Sequence, residues 1–496
     1  MRKNLLSLGL MLTLAACGTP PETNQPGAST DVDTVEPERV TVSHPRELRG
    51  VWVATVSRLD WPPSTTLTPE QGRQSLDTLV DELDKAGFNA LFFQVRPESD
   101  ALYASALEPW SRFLSGTQGT YPGWDPLEHL VKAAHARGLE VHAWMNPYRA
   151  LTSPTVTAAP NHVTKTLAQH AVTYNNVVVM NPGEPAVRAH VVSVVKDLLD
   201  HYDVDGLHFD DYFYPYPDAQ KTPFPDDATY ARYLQAGGTL AKDDWRRHNV
   251  NSLVREVMEL IVAEHPHVRF GVSPFGIWKN GVPVPGLDAY SVLSCDAVTW
   301  MQEGWVDYLA PQLYWRESSP QAYSKLATWW SERLVGGRHL FPGHAIHNLS
   351  STQDWPLSEI RNQVNFTRTL RGRGAQGDIH FRKAFITSNT KGVLGLFRDE
   401  LYARPALPPV LPRAGGAVAP PEPFVLLEGN TVHVTSPLPQ SVRFFLSYRE
   451  TQPGQWELMG VYGGTQVDLE LTSGTWAISA VGRGGAESQG VRISVQ

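Results

Sequence analysis

The chain has 496 residues, which suits one large domain and a smaller one, and 42% of them are hydrophobic, which excludes a disordered polymer. Lys and Arg number 42 against 51 Asp and Glu, and a net charge of −9 argues against a nucleic-acid partner, which would need a basic face. Two cysteines are too few for a disulfide framework. The composition fits a soluble enzyme with a neutral or polar substrate.

The first residues are typical of an export signal. Arg2 and Lys3 precede an apolar run, Leu5 to Ala16, that is too short to cross a bilayer as a helix. The run leads into Leu-Ala-Ala-Cys at 14–17, which resembles the lipobox of bacterial lipoproteins. We therefore predict an exported protein of the bacterial cell envelope that lipid on Cys17 anchors to a membrane. The alternative is a plain secretory signal in which Cys17 has no role.

Two stretches of biased composition divide the rest of the chain. Residues 18–44 are rich in Thr, Pro, Glu and Asn and predict a flexible tether, and residues 408–423 are rich in Pro, Ala and Gly and predict a linker. A linker predicts few contacts across it, so we expect residues 45–407 to stay folded without residues 424–496.

Short apolar runs alternate with amphipathic stretches between the tether and the linker, which indicates a parallel sheet. The predicted strands are Gly50–Val56, Asn89–Val95, Glu140–Asn146, Gly206–Asp210, Arg269–Ser273, Tyr308–Tyr314, His339–His344 and Gly377–Phe381. The predicted helices are Thr68–Ala86, Pro126–Arg137, Pro185–His201, Lys242–His265, Pro320–Arg333 and Leu357–Leu370. Eight strands favour an α/β (β/α)₈ TIM barrel. A doubly wound sheet is the alternative, but no glycine-rich phosphate turn follows the first strand.

Parity along each strand predicts which side chains enter the barrel. Leu207 and Phe209 suit the helix layer, which directs His208 and Asp210 inward. The same test directs inward Gln94, Arg96, His142, Trp144, Asn146, Gln312 and Tyr314, while Trp61, Trp278 and Trp315 lie on adjoining loops. Polar groups inside a barrel are costly unless they are paired or used. The ring of such groups at the strand ends therefore indicates an active site.

Several segments carry a family resemblance. They are Arg-Gly-Val-Trp at 49–52, Gln-Val-Arg-Pro at 94–97, His-Ala-Trp-Met-Asn-Pro-Tyr-Arg at 142–149, Asp-Gly-Leu-His-Phe-Asp-Asp-Tyr-Phe-Tyr-Pro at 205–215, Ser-Pro-Phe-Gly-Ile-Trp at 273–278 and Asp-Tyr-Leu-Ala-Pro-Gln-Leu-Tyr-Trp at 307–315. Together they resemble the glycosyl-hydrolase-like-10 domain over about residues 46–407. The resemblance implies a TIM-barrel glycoside hydrolase, often an exported lipoprotein, that acts on bacterial cell-wall glycan, for which peptidoglycan strands are the expected substrate.

Glycoside hydrolysis uses two carboxyl groups, one as acid and one as base or nucleophile. Our candidates are Asp210, Asp211 and Glu98, with Glu303 more distant. Asp210 and Asp211 are neighbours, so both can serve only if the strand ends before the chain turns at Asp211. The candidates for substrate binding are Gln94, Arg96, His142, Asn146, His208, Gln312 and Tyr314 as hydrogen-bonding groups and Trp278 and Trp315 as stacking faces.

A weaker likeness to chitinase-type barrels covers two aspartates, Asp205 and Asp210. Tyr212 occupies the position of their catalytic glutamate, so substrate-assisted chemistry is not carried over.

Two alternatives stay open. A metal-dependent hydrolase could use His142, His208, Asp210 and His344, although the first strand lacks His-x-His and the chain lacks His-Glu-x-x-His. A glycan-binding lipoprotein without catalysis is the other. The preferred hypothesis needs no cofactor and no metal.

Residues 424–496 predict a small all-β sandwich of fibronectin type III kind. The strands expected there are Thr431–Val434, Val442–Tyr448, Gln466–Leu471 and Thr475–Val481, and residues 482–488 resemble a hairpin of that fold. Cys295 is predicted to be a buried, inert thiol.

Overall fold

The computed structural model describes residues 38–350, 352–413, 415–429 and 431–496. The predicted signal segment, Cys17 and residues 18–37 of the predicted tether lie outside the described residues. Among the helices of the described part, none combines the length and the apolar character needed to cross a bilayer.

The larger part of the chain forms the predicted parallel barrel. Its strands are β1 (Leu48–Val53), β2 (Ala90–Arg96), β3 (Glu140–Met145), β4 (Gly206–Phe209), β5 (Arg269–Val272), β6 (Tyr308–Leu309), β7 in two pieces (His339–Leu340 and Gly343–His344) and β8 (Gly377–His380). Neighbours in the sheet follow the order of the chain, and β8 pairs with β1, which closes the ring.

Strand β7 is broken at Pro342. Its first piece pairs with β6 and its second piece with β8. Proline has no N–H to donate to a ladder, which accounts for the interruption between the two pieces. The closed barrel therefore has eight strands, as the sequence predicts.

Six longer helices follow strands and cover the outside of the barrel: Pro69–Lys85, Pro126–His135, Pro185–His201, Lys242–Glu264, Tyr323–Ser331 and Leu357–Thr369. The first begins at a capping box in which the Thr68 side chain accepts from Gln71 N and the Gln71 side chain accepts from Thr68 N. Proline at the first helical position starts three of the six. Other helices lie in the loops: Arg112–Ser115, Val163–Thr166, Asp227–Gln235, Ala289–Val292, Ala297–Gln302, Lys383–Thr387 and Val393–Leu396.

A three-stranded antiparallel sheet, which the sequence analysis did not predict, is inserted between β3 and β4. It consists of Arg149–Leu151, Ala171–Tyr174 and Val177–Met180. Its strands, of three or four residues each, are too short to stand out from loop sequence. The sheet matters for the site because it starts four residues after β3 ends.

Alternation along the strands separates two layers. Leu207 and Phe209 belong to the large core between barrel and helices, whereas Trp52, Phe92 and Tyr308 fill the barrel interior. His208 is fully buried inside as well. The predicted orientation of the side chains in β4, outward for Leu207 and Phe209 and inward for His208, is therefore confirmed.

Residues 424–496 form two antiparallel sheets. One contains Phe424–Glu428, Thr431–Thr435 and Gln466–Glu470, and the other contains Val442–Gln452, Gln455–Gly463, Gly474–Gly482 and Gly490–Val495. A fifth strand, Arg39–Val40, joins the second sheet by pairing with Gly490–Val495. These two residues fall within the stretch predicted as a tether. The free edge of the last strand accounts for the difference, because it offers unpaired backbone groups to a passing chain.

The C-terminal sheets pack against the amino ends of the barrel strands, where the sequence analysis expected few contacts. Arg443 donates to Asp203 at 2.8 and 3.0 Å and lies 3.1 Å from the carboxylate of Asp205, which immediately precedes β4. Within the predicted linker, Arg413 donates to Asp307 at 3.0 Å. The linker is bound to the barrel because carboxylates cluster where these strands begin.

We expect Arg443→Ala to lower the free energy of unfolding by about 3–5 kcal/mol, because Asp205 would stay buried and lose its guanidinium partner. Thermal and denaturant unfolding followed by circular dichroism measure this change. Arg449→Ala, an exposed residue of the same strand, is the control and should cost less than about 1 kcal/mol. Residues 38–423 expressed alone should also melt well below the whole chain, and an equal melting temperature would contradict the interface.

Candidate active site

A cavity of about 290 Å³ opens at the carboxyl ends of the barrel strands. Its walls combine carboxylates, amides and aromatic rings: Trp52, Ala54, Val56, Leu59, Gln94, Trp144, Arg149, Asp210, Asp211, Tyr212, Ser273, Gln312, Tyr314 and Phe381. This is the end at which TIM barrels carry their active sites. Of the predicted site residues, Gln94, Asp210, Asp211, Gln312 and Tyr314 line it.

The end of β4 brings two consecutive carboxylates to this cavity. The strand ends at Phe209, and the chain then turns, with Phe213 N donating to Asp211 O at 3.0 Å. In a continuing strand Asp210 and Asp211 would face opposite ways. The turn satisfies the condition under which both can serve one site.

Asp210 is held by donors alone. Trp144 Nε1 donates to its Oδ2 at 3.0 Å, Asn146 Nδ2 lies 3.1 Å from both oxygens, and Tyr212 N donates to Oδ1 at 3.3 Å. Burial raises the pKa of Asp210, while Arg149 and these donors oppose the rise. The carboxylate is thus fixed in position and its ionised form is solvated by the protein.

Asp211 is less well supplied with donors. Tyr216 donates its hydroxyl to Asp211 Oδ2, and Gln312 contributes a further hydrogen bond. Burial, together with the neighbouring charge of Asp210, raises the pKa of Asp211 to about 6. Burial thus raises the pKa of both carboxyl groups at this strand end, and the two differ in the donors that oppose the rise.

Gln94 presents an amide donor to the cavity. Its Oε1 accepts from Thr55 N at 3.0 Å and from Val56 N at 2.9 Å, which fixes the orientation of the amide. Its Nε2 is buried and has no hydrogen-bond partner among the described residues. A buried amide donor without a partner is costly, and a bound hydroxyl or carbonyl oxygen would satisfy it.

Aromatic rings form the floor and one wall. Trp52 donates Nε1 to His208 Nε2 at 3.1 Å and meets Phe381 edge-on at 6.1 Å between ring centroids. Tyr314 stacks on Phe381 at 5.9 Å. Rings fixed in this way offer flat apolar faces, which suit the faces of sugar rings.

Two charged residues predicted for the site lie away from the cavity. Arg96 is fully buried and donates to Glu108 at 2.7 and 2.5 Å, so its guanidinium is committed to an ion pair. Glu98 accepts from Arg112 at 2.7 and 3.0 Å, and these contacts hold its pKa below its usual range despite burial. Both predictions are corrected: neither side chain has a free polar group to offer a substrate.

The predicted histidines lie deeper, inside the barrel. His142 Nε2 is 3.1 Å from Glu140 Oε2, and His208 Nδ1 is 2.9 Å from Tyr308 Oη. Burial puts the pKa of His208 well below its usual value, so its ring is neutral. His208 supports the floor by accepting from Trp52, whereas neither histidine lines the cavity.

The remaining candidates support the site from behind or lie elsewhere. Asn146 contacts Asp210 without lining the cavity. Trp278 stacks on Trp329 at 6.0 Å, and Trp315 meets Phe275 at 5.6 Å. Neither tryptophan offers a face to the cavity, and Glu303 is exposed after a helix on the outside.

The four residues considered for a metal-dependent hydrolase do not come together. His344 is 2.6 Å from Asp378 and 3.0 Å from Gln363, within the core around β7 and β8. Within the described residues, the group with metal-ligand spacing is Asp200, Glu264 and His265 on the outer helices. That arrangement does not support a metal centre built from His142, His208, Asp210 and His344.

Sequence reasoning missed Arg149, Tyr212 and Tyr216. Arg149 begins the inserted sheet, and its backbone N–H donates to Asn146 Oδ1 at 2.8 Å, which orients the amide that contacts Asp210. Arg149 and Tyr212 also line a second cavity of about 240 Å³ beside the first. Tyr212 and Tyr216 lie in the irregular loop after β4, where no repeating pattern indicates which residues face a cavity.

The sequence of this chain is similar to a known protein family and to several known proteins. The sequence model of the family described as glycosyl hydrolase-like 10 matches residues 47–355. Over 381 residues the chain is 38% identical to glycosyl hydrolase YngK of Bacillus subtilis, a match that covers 74% of each chain. Over 423 residues it is 33% identical to glycosyl hydrolase DigH of Escherichia coli K12, covering 78% of this chain and 93% of that protein. The solved catalytic domain of a β-amylase from Paenibacillus polymyxa is 10% identical, with a TM-score of 0.48 over 73% of this chain and 99% of that chain.

We expect the carboxyl group of Asp211 to titrate near pH 6, about two units above an ordinary aspartate, because it is buried beside a second carboxylate. Carbon-13 NMR of the aspartate carboxyls measures this value, and Asp211→Asn identifies the resonance. Tyr216→Phe removes a donor to the ionised form and should move the pKa further upward. Tyr230→Phe should leave it unchanged, because this tyrosine of helix Asp227–Gln235 donates its hydroxyl to Leu240 O and lines neither cavity. A wild-type titration near pH 4 would contradict the arrangement.

Proposed function

The chain belongs to the glycosyl hydrolase-like 10 family, and from this we propose that it hydrolyses glycosidic bonds of bacterial cell-wall glycan, with peptidoglycan strands as its substrate. One observation carries the proposal: Asp210 and Asp211 are both buried at the mouth of the barrel and differ in their hydrogen-bond partners. Two carboxyl groups with separate protonation states are what acid–base cleavage of a glycosidic bond requires.

In this proposal Asp211 is the general acid. A group with a pKa of about 6 keeps a useful fraction of its proton near neutral pH and can release it to a leaving oxygen. Protonation of the glycosidic oxygen lets the bond to the anomeric carbon break, and the leaving sugar departs with that proton as a hydroxyl group. Water then adds its oxygen to the anomeric carbon and returns one proton to the carboxylate pair. Tyr216, which donates to Asp211, would stabilise the carboxylate that remains after the transfer.

Asp210 is the ionised partner. Trp144, Asn146 and the backbone N–H of Tyr212 donate to it, and these fixed dipoles favour the charged form. Its negative charge would stabilise the positive charge that develops at the sugar ring in an oxocarbenium-like transition state. Because the donors are already in place, the site needs little reorganisation when that charge appears.

The neutral groups of the cavity suit a sugar. Gln94 Nε2 lacks a partner in the described part of the chain and would donate to a hydroxyl or an acetamido oxygen. Trp52 and Tyr314 offer the apolar surface. The choice of a cell-wall glycan rests on the sequence resemblance and on the predicted export signal, and not on the cavity alone.

We also propose that the protein is a lipoprotein of the cell envelope and that residues 424–496 are a fibronectin type III-like module. Two antiparallel sheets of three and four strands from this segment support the module assignment. Strand Arg39–Val40 pairs with this module, which packs on the amino ends of the barrel strands.

Asp210→Asn should keep the size and much of the hydrogen bonding of the side chain but lose its charge, so we expect kcat/KM on peptidoglycan strands to fall by about three or more powers of ten. Glycan binding should change less than about tenfold, because neutral donors and rings remain. Reducing-end release, mass spectrometry of the products and a separate pull-down with purified sacculi measure the two quantities. Asp211→Asn should also be inactive, through loss of the acid.

Asp218→Asn, at a partly exposed aspartate of the same loop that lines neither cavity, is the control and should keep wild-type activity. Wild-type protein that binds sacculi without releasing reducing ends would favour a non-catalytic glycan-binding protein. Near-normal cleavage by Asp210→Asn would remove Asp210 from the mechanism.

Cys17→Ser should release the protein from the membrane fraction, because the acylated residue is lost. Fractionation of cells and labelling with a fatty-acid analogue measure anchoring, and the barrel should keep its glycan-cleaving activity. Membrane association that survives the substitution would contradict the lipobox assignment.

A further inference from the structure

Arg149 stands where two cavities meet. It lines the cavity that holds Asp210 and Asp211, and it also lines the second cavity of about 240 Å³. Tyr212 is the other residue that the two cavities share. Among the described residues that line either cavity, Arg149 is the sole positively charged one.

The guanidinium of Arg149 is held in position without being neutralised. Nε donates to Pro97 O at 3.0 Å, and the guanidinium carbon lies 5.2 Å from the centroid of the Tyr212 ring. Within the described part of the chain no carboxylate forms an ion pair with it, and its two terminal nitrogens make no hydrogen bond there. This differs from Arg96 and Arg112, whose guanidinium groups are bonded to glutamates in the same region.

The second cavity has apolar walls next to this charge. Val177 and Val179 from the inserted sheet face Phe213 and Pro215 from the loop after β4. Such walls exclude water from a small hydrocarbon group and strengthen a charge pair at their edge. The chemistry of the cavity is therefore that of a short apolar group with an anion beside it.

We propose that Arg149 binds a carboxylate on a short, methyl-bearing side group of the sugar next to the scissile bond, with that group in the second cavity. The proposal rests on the proposed function, because every second sugar of the wall glycan named there carries a lactyl ether with one methyl and one carboxyl group. That carboxyl group is a free carboxylate where no peptide is attached to it. Arginine matches a carboxylate with two parallel N–H donors, which gives direction as well as charge. Arg149 is thus a specificity-determining residue.

The test must separate this role from the influence of Arg149 on the catalytic pair. Arg149 lowers the pKa of Asp210, and its backbone positions Asn146, so a substitution could reduce kcat on any glycan. A comparison of two glycans that differ only in the carboxylate removes that common effect. We choose peptide-free wall tetrasaccharides and the same tetrasaccharides after carbodiimide coupling to methylamine, which turns each carboxylate into a neutral amide.

For the wild type we expect kcat/KM and affinity to favour the free carboxylate by about ten- to a hundredfold. Arg149→Gln should abolish this preference, mainly through KM, and should act on the amidated glycan much less. Arg149→Lys keeps the charge and should retain part of the preference. Arg58→Gln removes an exposed charge beside the same mouth and is the control, with the preference unchanged.

Equal losses on both glycans for Arg149→Gln, or a wild type without preference, would overturn the anion site. If Arg149→Gln does not fold, Arg149→Lys decides, because an unchanged preference in that variant would show that no bidentate contact exists. Binding is measured by calorimetry beside cleavage. A wild type that binds the free carboxylate preferentially but cleaves neither glycan would overturn the hydrolase and support the anion site, so the two failures are distinguishable.

Discussion

Burial of two neighbouring carboxylates is the constraint on which the mouth of the barrel depends. An ionised carboxylate out of water costs several kcal/mol unless donors replace its hydration, and a second one beside it adds repulsion. The protein supplies Asp210 with an indole, an amide and a backbone N–H, and supplies Asp211 with a phenol. The unequal supply separates the two carboxyl groups chemically although they are adjacent in the chain.

The segment after β3 links this pair to the rest of the mouth. Asn146 uses both ends of its amide, because it donates to Asp210 through Nδ2 and accepts from Arg149 N through Oδ1. The side chain of Arg149 then reaches the wall between the two cavities. Four residues of sequence thus connect the position of the Asp210 carboxylate with the wall of the neighbouring cavity.

The periodicity of the strands predicted the barrel and the orientation of several side chains. The residues that it did not predict were missed for physical reasons. A side-chain period of two directed Gln94, His208 and Asp210 inward correctly, and the order of apolar runs gave the eight-stranded barrel. It failed for Arg96, whose partner Glu108 comes from an irregular loop. The choice of Glu98 rested on its place beyond the strand, and it failed because Arg112, at the start of a short helix, pairs with it. The inserted sheet and Tyr216 were missed for the same reason, since loop geometry depends on tertiary packing rather than on a repeating pattern.

The contacts of the predicted linker could not be predicted either, because composition does not indicate which surface a segment packs against. Proline and glycine indicate a break in regular structure, yet Arg413 and Arg443 meet carboxylates at the amino ends of β4 and β6. Carboxylates are buried at both ends of the barrel, but their partners differ between the two ends. At the amino ends arginines neutralise Asp205 and Asp307 and join the barrel to the linker and the C-terminal sheets. At the carboxyl ends Asp210 and Asp211 have neutral donors, and Arg149 stands near them without an ion pair. Charges that are neutralised within the protein stabilise it, and charges left without a counterion at a cavity remain available to a ligand.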